Sequence, residues 1–186
     1  STRLVFTFSD QTKMYFNDQR KFGWVKLFTP DQLTQFQQSI GLDLLDPKFT
    51  PAYFYRQLQS SRRPVKSVLL DQNKFAGVGN IYDNDALFLS QINPQTPANQ
   101  LTFSQSRLLR SHLVKLIKES IAHGGSTAKD NKYVRPDGSF GQHQYHFRVY
   151  QRQGEPCSVC RTPIVRISLG GRGTFYCPHC QPFLLK

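Results

Sequence analysis

Short apolar runs broken by turn residues open the chain. Leu4-Val5-Phe6-Thr7-Phe8 reads as a strand, Ser9-Asp10-Gln11-Thr12 as a turn and Lys13-Met14-Tyr15-Phe16 as the returning strand. Val25-Lys26-Leu27-Phe28 is expected to be a third strand. So little sheet is marginal alone, and residues 1–28 read as the end of a sheet whose beginning is missing. The pattern then becomes helical. Thr29-Pro30 and Thr50-Pro51 each place a capping threonine before a proline at the first helical position. They predict helices over about 30–39, stopped by Gly41, and about 51–59. Val65 to Gln72 reads as a short helix with Val68, Leu69 and Leu70 inward, and Ile81 to Gln91 as the next. Thr102 starts a long helix to about His123. Its apolar face is Leu109, Leu113, Leu116, Ile117 and Ile121, and Gly124-Gly125 ends it. Arg107, Arg110, Lys115 and Lys118 are expected on a solvated face. Residues 126–144 are polar and rich in turn residues, a functional loop by length. Tyr145 to Tyr150 is expected to be extended.

The last thirty residues change the picture. Cys157-Ser158-Val159-Cys160 and Cys177-Pro178-His179-Cys180 use all four cysteines, with sixteen residues between the pairs. Two such knuckles complete a tetrahedral four-thiolate shell around one zinc ion, which leaves no open position and is structural. Two disulfides in a secreted protein are the alternative, but no signal peptide is visible and paired C-x-x-C spacing suits a metal. Between the knuckles, Pro163–Leu169 and Thr174–Tyr176 read as a hairpin, with Gly170-Gly171-Arg172-Gly173 as its turn and Arg172 at the tip.

Charge narrows the partner. The chain of 186 residues carries 24 Lys and Arg against 12 Asp and Glu, a net +12. A polyanion is implied, with nucleic acid the default. An anionic membrane is disfavoured by the lack of a polybasic run, an amphipathic lysine-rich helix or a spanning apolar segment. Gly77, Gly79 and Asn80 precede a helix, where free N–H groups and the dipole favour an anion such as a phosphate. Close packing of two helices at the glycines, with Asn80 as a cap, is the competing reading. His112, His123, His143 and His146 show no shared ligand spacing and are read as packing or surface residues.

Four motifs, in order, carry a resemblance. They are Asp18-Gln19-Arg20-Lys21-Phe22-Gly23, Leu70-Asp71-Gln72 through Gly77-Val78-Gly79-Asn80-Ile81-Tyr82, Gly154-Glu155-Pro156-Cys157-Ser158-Val159-Cys160, and Arg172-Gly173-Thr174-Phe175-Tyr176-Cys177. The chain resembles the C-terminal two-thirds of the bacterial formamidopyrimidine-DNA glycosylase/endonuclease VIII family, closer to the formamidopyrimidine branch. The resemblance implies a mainly α fold with β additions. Residues 1–28 would be a remnant of an N-terminal β-sandwich, 29–150 a helix–two-turn–helix DNA-binding domain and 151–186 the zinc finger. It implies base-excision repair: flipping an oxidised purine from duplex DNA, cutting its glycosidic bond, and cleaving the strand by β,δ-elimination. Asn80 and Arg172 would grip phosphates flanking the flipped nucleotide, with Gly79 beside them. Arg172 would also donate a proton in δ-elimination. Phe22 would wedge into the stack, Arg20 would face the orphaned base, and Arg62 and Lys66 would lie near the phosphates. Residues 134–141 would lie where that branch covers the oxidised purine.

The sequence departs from the family's pattern at the N-terminal proline–glutamate and the N-terminal lysine, which have no counterpart here. Asp85 also stands where glutamate is usual, and Lys21 where arginine is common. Binding of damaged or abasic duplex DNA without turnover is therefore expected of this chain alone. Expected too are a monomer, one structural zinc, a bacterial cytoplasmic location at the nucleoid and no membrane. The alternatives are an endonuclease VIII-like glycosylase for oxidised pyrimidines and a non-catalytic zinc-finger DNA-binding module. The orphan strands at the start argue against the second.

Overall fold

The computed structural model describes residues 1–19, 21–127 and 139–183. Arg20 and residues 134–138 of the expected base-covering loop lie outside them. The described residues form two compact units, divided after Gln38.

In the first unit, β1 (Thr2–Thr7) and β2 (Lys13–Asn17) pair antiparallel. Asp10 closes their turn by accepting from Thr12 N at 3.0 Å and Oγ1 at 2.6 Å. Helix α1 (Pro30–Ser39) is capped as predicted: Gln32 N donates to Thr29 Oγ1, and Thr29 N to Gln32 Oε1. Phe36 of α1 meets Trp24 edge-on at 5.7 Å and stacks on Phe28 at 5.2 Å. Helix α1, expected with the helical domain, therefore packs into the first unit. The third strand does not form, because Val25–Phe28 finds no strand to bond with among the described residues.

The second unit is built on helices. They are α2 (Pro51–Gln59), α3 (Val65–Leu69), α4 (Tyr82–Leu89) and α5 (Phe103–Ala122). Thr50 accepts from Tyr53 N, and Thr102 forms a full capping box with Gln105. The core sits between α2, α3, α4 and α5. Phe54 of α2 is fully buried, with ring centroids 5.6 Å from Phe49 and 4.9 Å from Phe75. Leu109, Leu113 and Leu116 supply the inward face of α5 as the spacing predicts, but Ile121 is exposed. Arg110 is not simply solvated: its Nε donates to Phe49 O at 2.6 Å and its guanidinium lies over the Phe49 ring. A two-residue parallel pair, β3 (Leu42–Asp43) with β4 (Phe75–Ala76), ties the lead into α2 to the turn before α4. Gly41 is required there, since a Cβ would meet the Lys74 backbone at 2.2 Å.

Two further expectations need correction. Helix α3 stops at Leu69 and leaves Leu70 half-buried. Residues 145–150 are not a strand: His143–His146 is a single 3-10 turn, after which the chain bends. The bend has a cause, because the Asp85 carboxylate accepts the backbone N–H groups of Arg148, Val149 and Tyr150 at 2.8, 2.9 and 3.2 Å.

Candidate nucleic-acid interface

The C-terminal hairpin pairs β5 (Val165–Leu169) with β6 (Arg172–Tyr176). Its turn is only Gly170-Gly171, both at positive φ, which side chains rarely adopt. Arg172 is thus not in the turn but the first residue of β6, opposite Leu169, and its side chain is exposed.

The four cysteines converge, with their sulfurs all within 4.8 Å of one another. Cys157–Cys180, Cys160–Cys177 and Cys160–Cys180 sulfurs are 3.9, 3.4 and 3.5 Å apart. A tetrahedron with Zn–S of about 2.3 Å has edges of about 3.8 Å, so the set fits one zinc ion. Val159 N and Cys180 N point at the Cys157 and Cys177 sulfurs, 3.4 Å away, as suits thiolate acceptors. Bound there, the ion cross-links the two knuckles. Phe88, Val149, Ile164 and Phe175 pack with Cys157 and Cys177 in a small core of their own.

Helix α4 joins this module to the helical core. Asp83-Asn84-Asp85, just inside its start, are all buried, each directed to a different element. Asp83 pairs with Lys66 of α3. Asn84 Oδ1 accepts from Phe175 N of β6 at 2.8 Å, and Asp85 holds the 148–150 bend. Burial raises the Asp85 carboxyl pKa, and the three N–H donors counter that. The sequence reading missed this trio. Its signal was present: three consecutive polar residues between Ile81-Tyr82 and Ala86-Leu87-Phe88-Leu89. In a first helical turn such residues read as an exposed cap.

Asn80 does not cap α4, whose N-cap is Ile81 without a side-chain bond. Instead Asn80 Nδ2 donates to Gly173 O of β6 at 3.2 Å, so the residue beside Arg172 is bonded to Asn80 across 93 positions. Gly79 is half-buried and a Cβ there would meet nothing within 4 Å, leaving the approach to the helix start open. Arg62 is exposed, whereas neighbouring Arg63 pairs with Asp71 at 2.5 Å. Lys66, expected near the phosphates, does not present its charge at the surface. It is 1 % exposed because α3 turns it inward onto Asp83. Burial lowers the Lys66 pKa, Asp83 opposes that, and nearby Arg172 lowers it further. In the first unit, Asp18 accepts from Lys21 N and Gly23 N, shaping a turn that leaves Phe22 75 % exposed.

Three histidines also converge unforeseen. His123 Nδ1 lies 3.1 Å from His143 Nδ1, and His146 stacks on His123 at 4.3 Å. His143 is buried and its Nε2 lacks a hydrogen-bond partner.

A helical core closed by a four-cysteine hairpin, with an asparagine at a helix start bonded to the hairpin, defines a zinc-binding helix–two-turn–helix protein. Residues 40–132 match the family model described as formamidopyrimidine-DNA glycosylase H2TH domain, and residues 154–182 that of the zinc finger found in FPG and IleRS. The chain is 38 % identical over 182 residues to a formamidopyrimidine-DNA glycosylase of Listeria innocua, covering 97 % of this chain and 66 % of that protein. The corresponding figures for the Bacillus licheniformis formamidopyrimidine-DNA glycosylase are 38 % over 180 residues, 96 % and 65 %. Among solved structures, MutM (Fpg) of Thermus thermophilus superposes with TM-score 0.86 at 38 % identity, covering 97 % of this chain and 68 % of that one. Lactococcus lactis Fpg bound to abasic-site DNA gives 0.82 at 33 %, with 96 % and 65 % covered. The chain belongs to the formamidopyrimidine-DNA glycosylase family. It spans about two-thirds of the length of the curated relatives it matches. No helix among the described residues is long and apolar enough to cross a membrane.

Proposed function

We propose that this chain is the DNA-gripping part of a base-excision-repair glycosylase and abasic-site lyase. The whole protein removes oxidised purines from duplex DNA and cleaves the strand by β,δ-elimination. The observation that carries the reading is the bond from Asn80 to Gly173, which joins the start of α4 to the strand bearing Arg172. A phosphate there meets the positive end of a helix dipole, an amide and a guanidinium together. The net charge of +12 supplies the long-range attraction. Relatives whose solved structures hold abasic or damaged-base DNA support the same substrate class.

In this reading Asn80 and Arg172 hold phosphates flanking the extruded nucleotide, and Gly79 lets the strand approach. Arg172 also hands a proton to the departing oxygen in δ-elimination. Arg62 adds a phosphate contact at the surface. Exposed Phe22 fills the gap left in the base stack, with Arg20 facing the orphaned base; extrusion costs a few kcal/mol that such a wedge partly returns. Residues 40–150 then act as the helical grip and 151–186 as the zinc finger, with α1 grouped with the strands of the first unit. The protein works as a monomer on the nucleoid in a bacterial cytoplasm.

The test is a titration of the zinc-loaded chain against a duplex carrying a tetrahydrofuran abasic analogue, at fixed salt. Asn80→Ala and Arg172→Ala are expected to weaken binding at least tenfold relative to the unchanged chain. Equal affinities would remove both residues from the phosphate grip.

A further inference from the structure

The phosphate reading leaves the buried pair behind it unused. Lys66 and Asp83 are 1 % and 0 % exposed, and Lys66 Nζ lies 3.3 Å from each carboxylate oxygen. Asp83 Oδ1 also accepts from Asn84 Nδ2 at 2.8 Å. Asp83 Oδ2 is within ion-pair range of Nζ but has no hydrogen bond of its own, and Asn80 Oδ1 is likewise buried and unsatisfied. A buried pair of this kind rarely adds net stability over apolar residues of similar size. Its place, with Asp83 three residues after Asn80 and Lys66 within electrostatic reach of Arg172, offers a different role.

We infer that Asp83 sets the affinity of the phosphate site, by neutralising a Lys66 charge that would otherwise act on a phosphate held by Asn80 and Arg172. This inference rests on the reading of Asn80 and Arg172 as phosphate ligands. A lone ammonium in a low-dielectric interior projects its field farther than one in water, whereas a closed ion pair projects little. Among the described residues, Lys66 on α3, Asp85 on α4 and Tyr150 of the bend act on Asp83, and Arg172 on β6 acts on its partner Lys66. Burial raises the Asp83 carboxyl to about 6, against the pull of Lys66. Below that pH the carboxyl is neutral and the Lys66 charge is uncompensated. A bound phosphate favours that state, so affinity rises as pH falls through about 6.

The experiment compares the zinc-loaded chain with its Asp83→Asn variant on the tetrahydrofuran duplex, at pH 7.5 and 5.5 and over a salt series. Asparagine keeps the size and the polar contact to Asn84 but not the charge. With Lys66 still protonated, the variant is expected to bind several-fold tighter at pH 7.5, with a salt slope steeper by up to about 0.9. It should also lose the extra tightening that the unchanged chain gains at pH 5.5. Every other side chain is common to both proteins, so the difference between them isolates Asp83. Equal or weaker binding by a folded, zinc-replete Asp83→Asn variant overturns the inference. Should that variant fail to fold, the Lys66→Met, Asp83→Leu double variant replaces it; persistence of the full rise at low pH then overturns the proposal. If Asn80→Ala and Arg172→Ala weaken binding while Asp83→Asn changes nothing, only this inference falls. If none of the three matters, the phosphate reading falls with it.

Discussion

Asn84 reaches across 91 positions to accept the backbone N–H of Phe175 at 2.8 Å, bonding α4 to the middle of the zinc hairpin. The same side chain donates to Asn80 O and Asp83 Oδ1. Asn84→Ala leaves a buried N–H without an acceptor, at a cost of about 1–3 kcal/mol. The expected result is a lower urea midpoint and faster hydrogen exchange at the Phe175 amide, with zinc content unchanged. Native exchange at that amide would show that the bond contributes little.

The metal shell makes a second prediction. Cys177→Ser removes a buried ligand on which the Cys180 N–H also converges. Zinc measured by elemental analysis should fall from one ion per chain to none, and the hairpin core around Phe175 and Ile164 should loosen. The main core contains no cysteine, so the far-ultraviolet signal of α2 and α5 should persist. Retention of one zinc per chain would refute the four-thiolate shell.

The histidine cluster predicts a pH dependence. Burial lowers the His143 pKa, as do the neighbouring His123, His146 and Arg148 charges, while Glu119 opposes them. The unfolded chain takes up this proton near pH 6.5 and the native state only lower. Stability from the neutral imidazole is thus present above about 6.5 and lost as pH falls below it. His143→Phe keeps a ring against Tyr82, which meets His143 edge-on. Between pH 7.5 and 5.5 its urea midpoint should fall less than that of the unchanged chain. Parallel falls would exclude His143 as the cause.

Core packing gives a fourth. Phe54 is fully buried between Phe49 and Phe75. Phe54→Ala should cost about 3–5 kcal/mol in equilibrium unfolding, and Phe54→Leu less. A loss below about 1 kcal/mol would mean that the aromatic trio repacks freely.

What the sequence made legible was local. Thr50 and Thr102 announced their helices because a cap needs only the next few residues, and two C-x-x-C knuckles announced a metal by spacing alone. What it hid was set by distant partners. Lys66 looked like a surface cation until α3 turned it onto Asp83, 17 positions away. Tyr145–Tyr150 looked extended, but the Asp85 carboxylate, 63 to 65 positions earlier, bends its last three residues. His123 and His143 meet because Gly125 O and His123 O accept the N–H groups of His143 and Gln142, closing the ends of a polar segment. No periodicity encodes such meetings.

The buried trio of α4 also carries a consequence for the order of assembly. Asp83, Asn84 and Asp85 find their partners 17, 91 and 63 to 65 positions away. An eight-residue helix with three buried polar side chains gains little from forming before those partners arrive. Each distant contact must first overcome the entropy of closing its loop. Helix α4 is thus expected to become rigid only once α3 and the hairpin are in place, read as late protection of its amides in pulsed hydrogen exchange. Zinc binding, by ordering the hairpin that supplies Phe175 N to Asn84, is then expected to add to the protection of that helix.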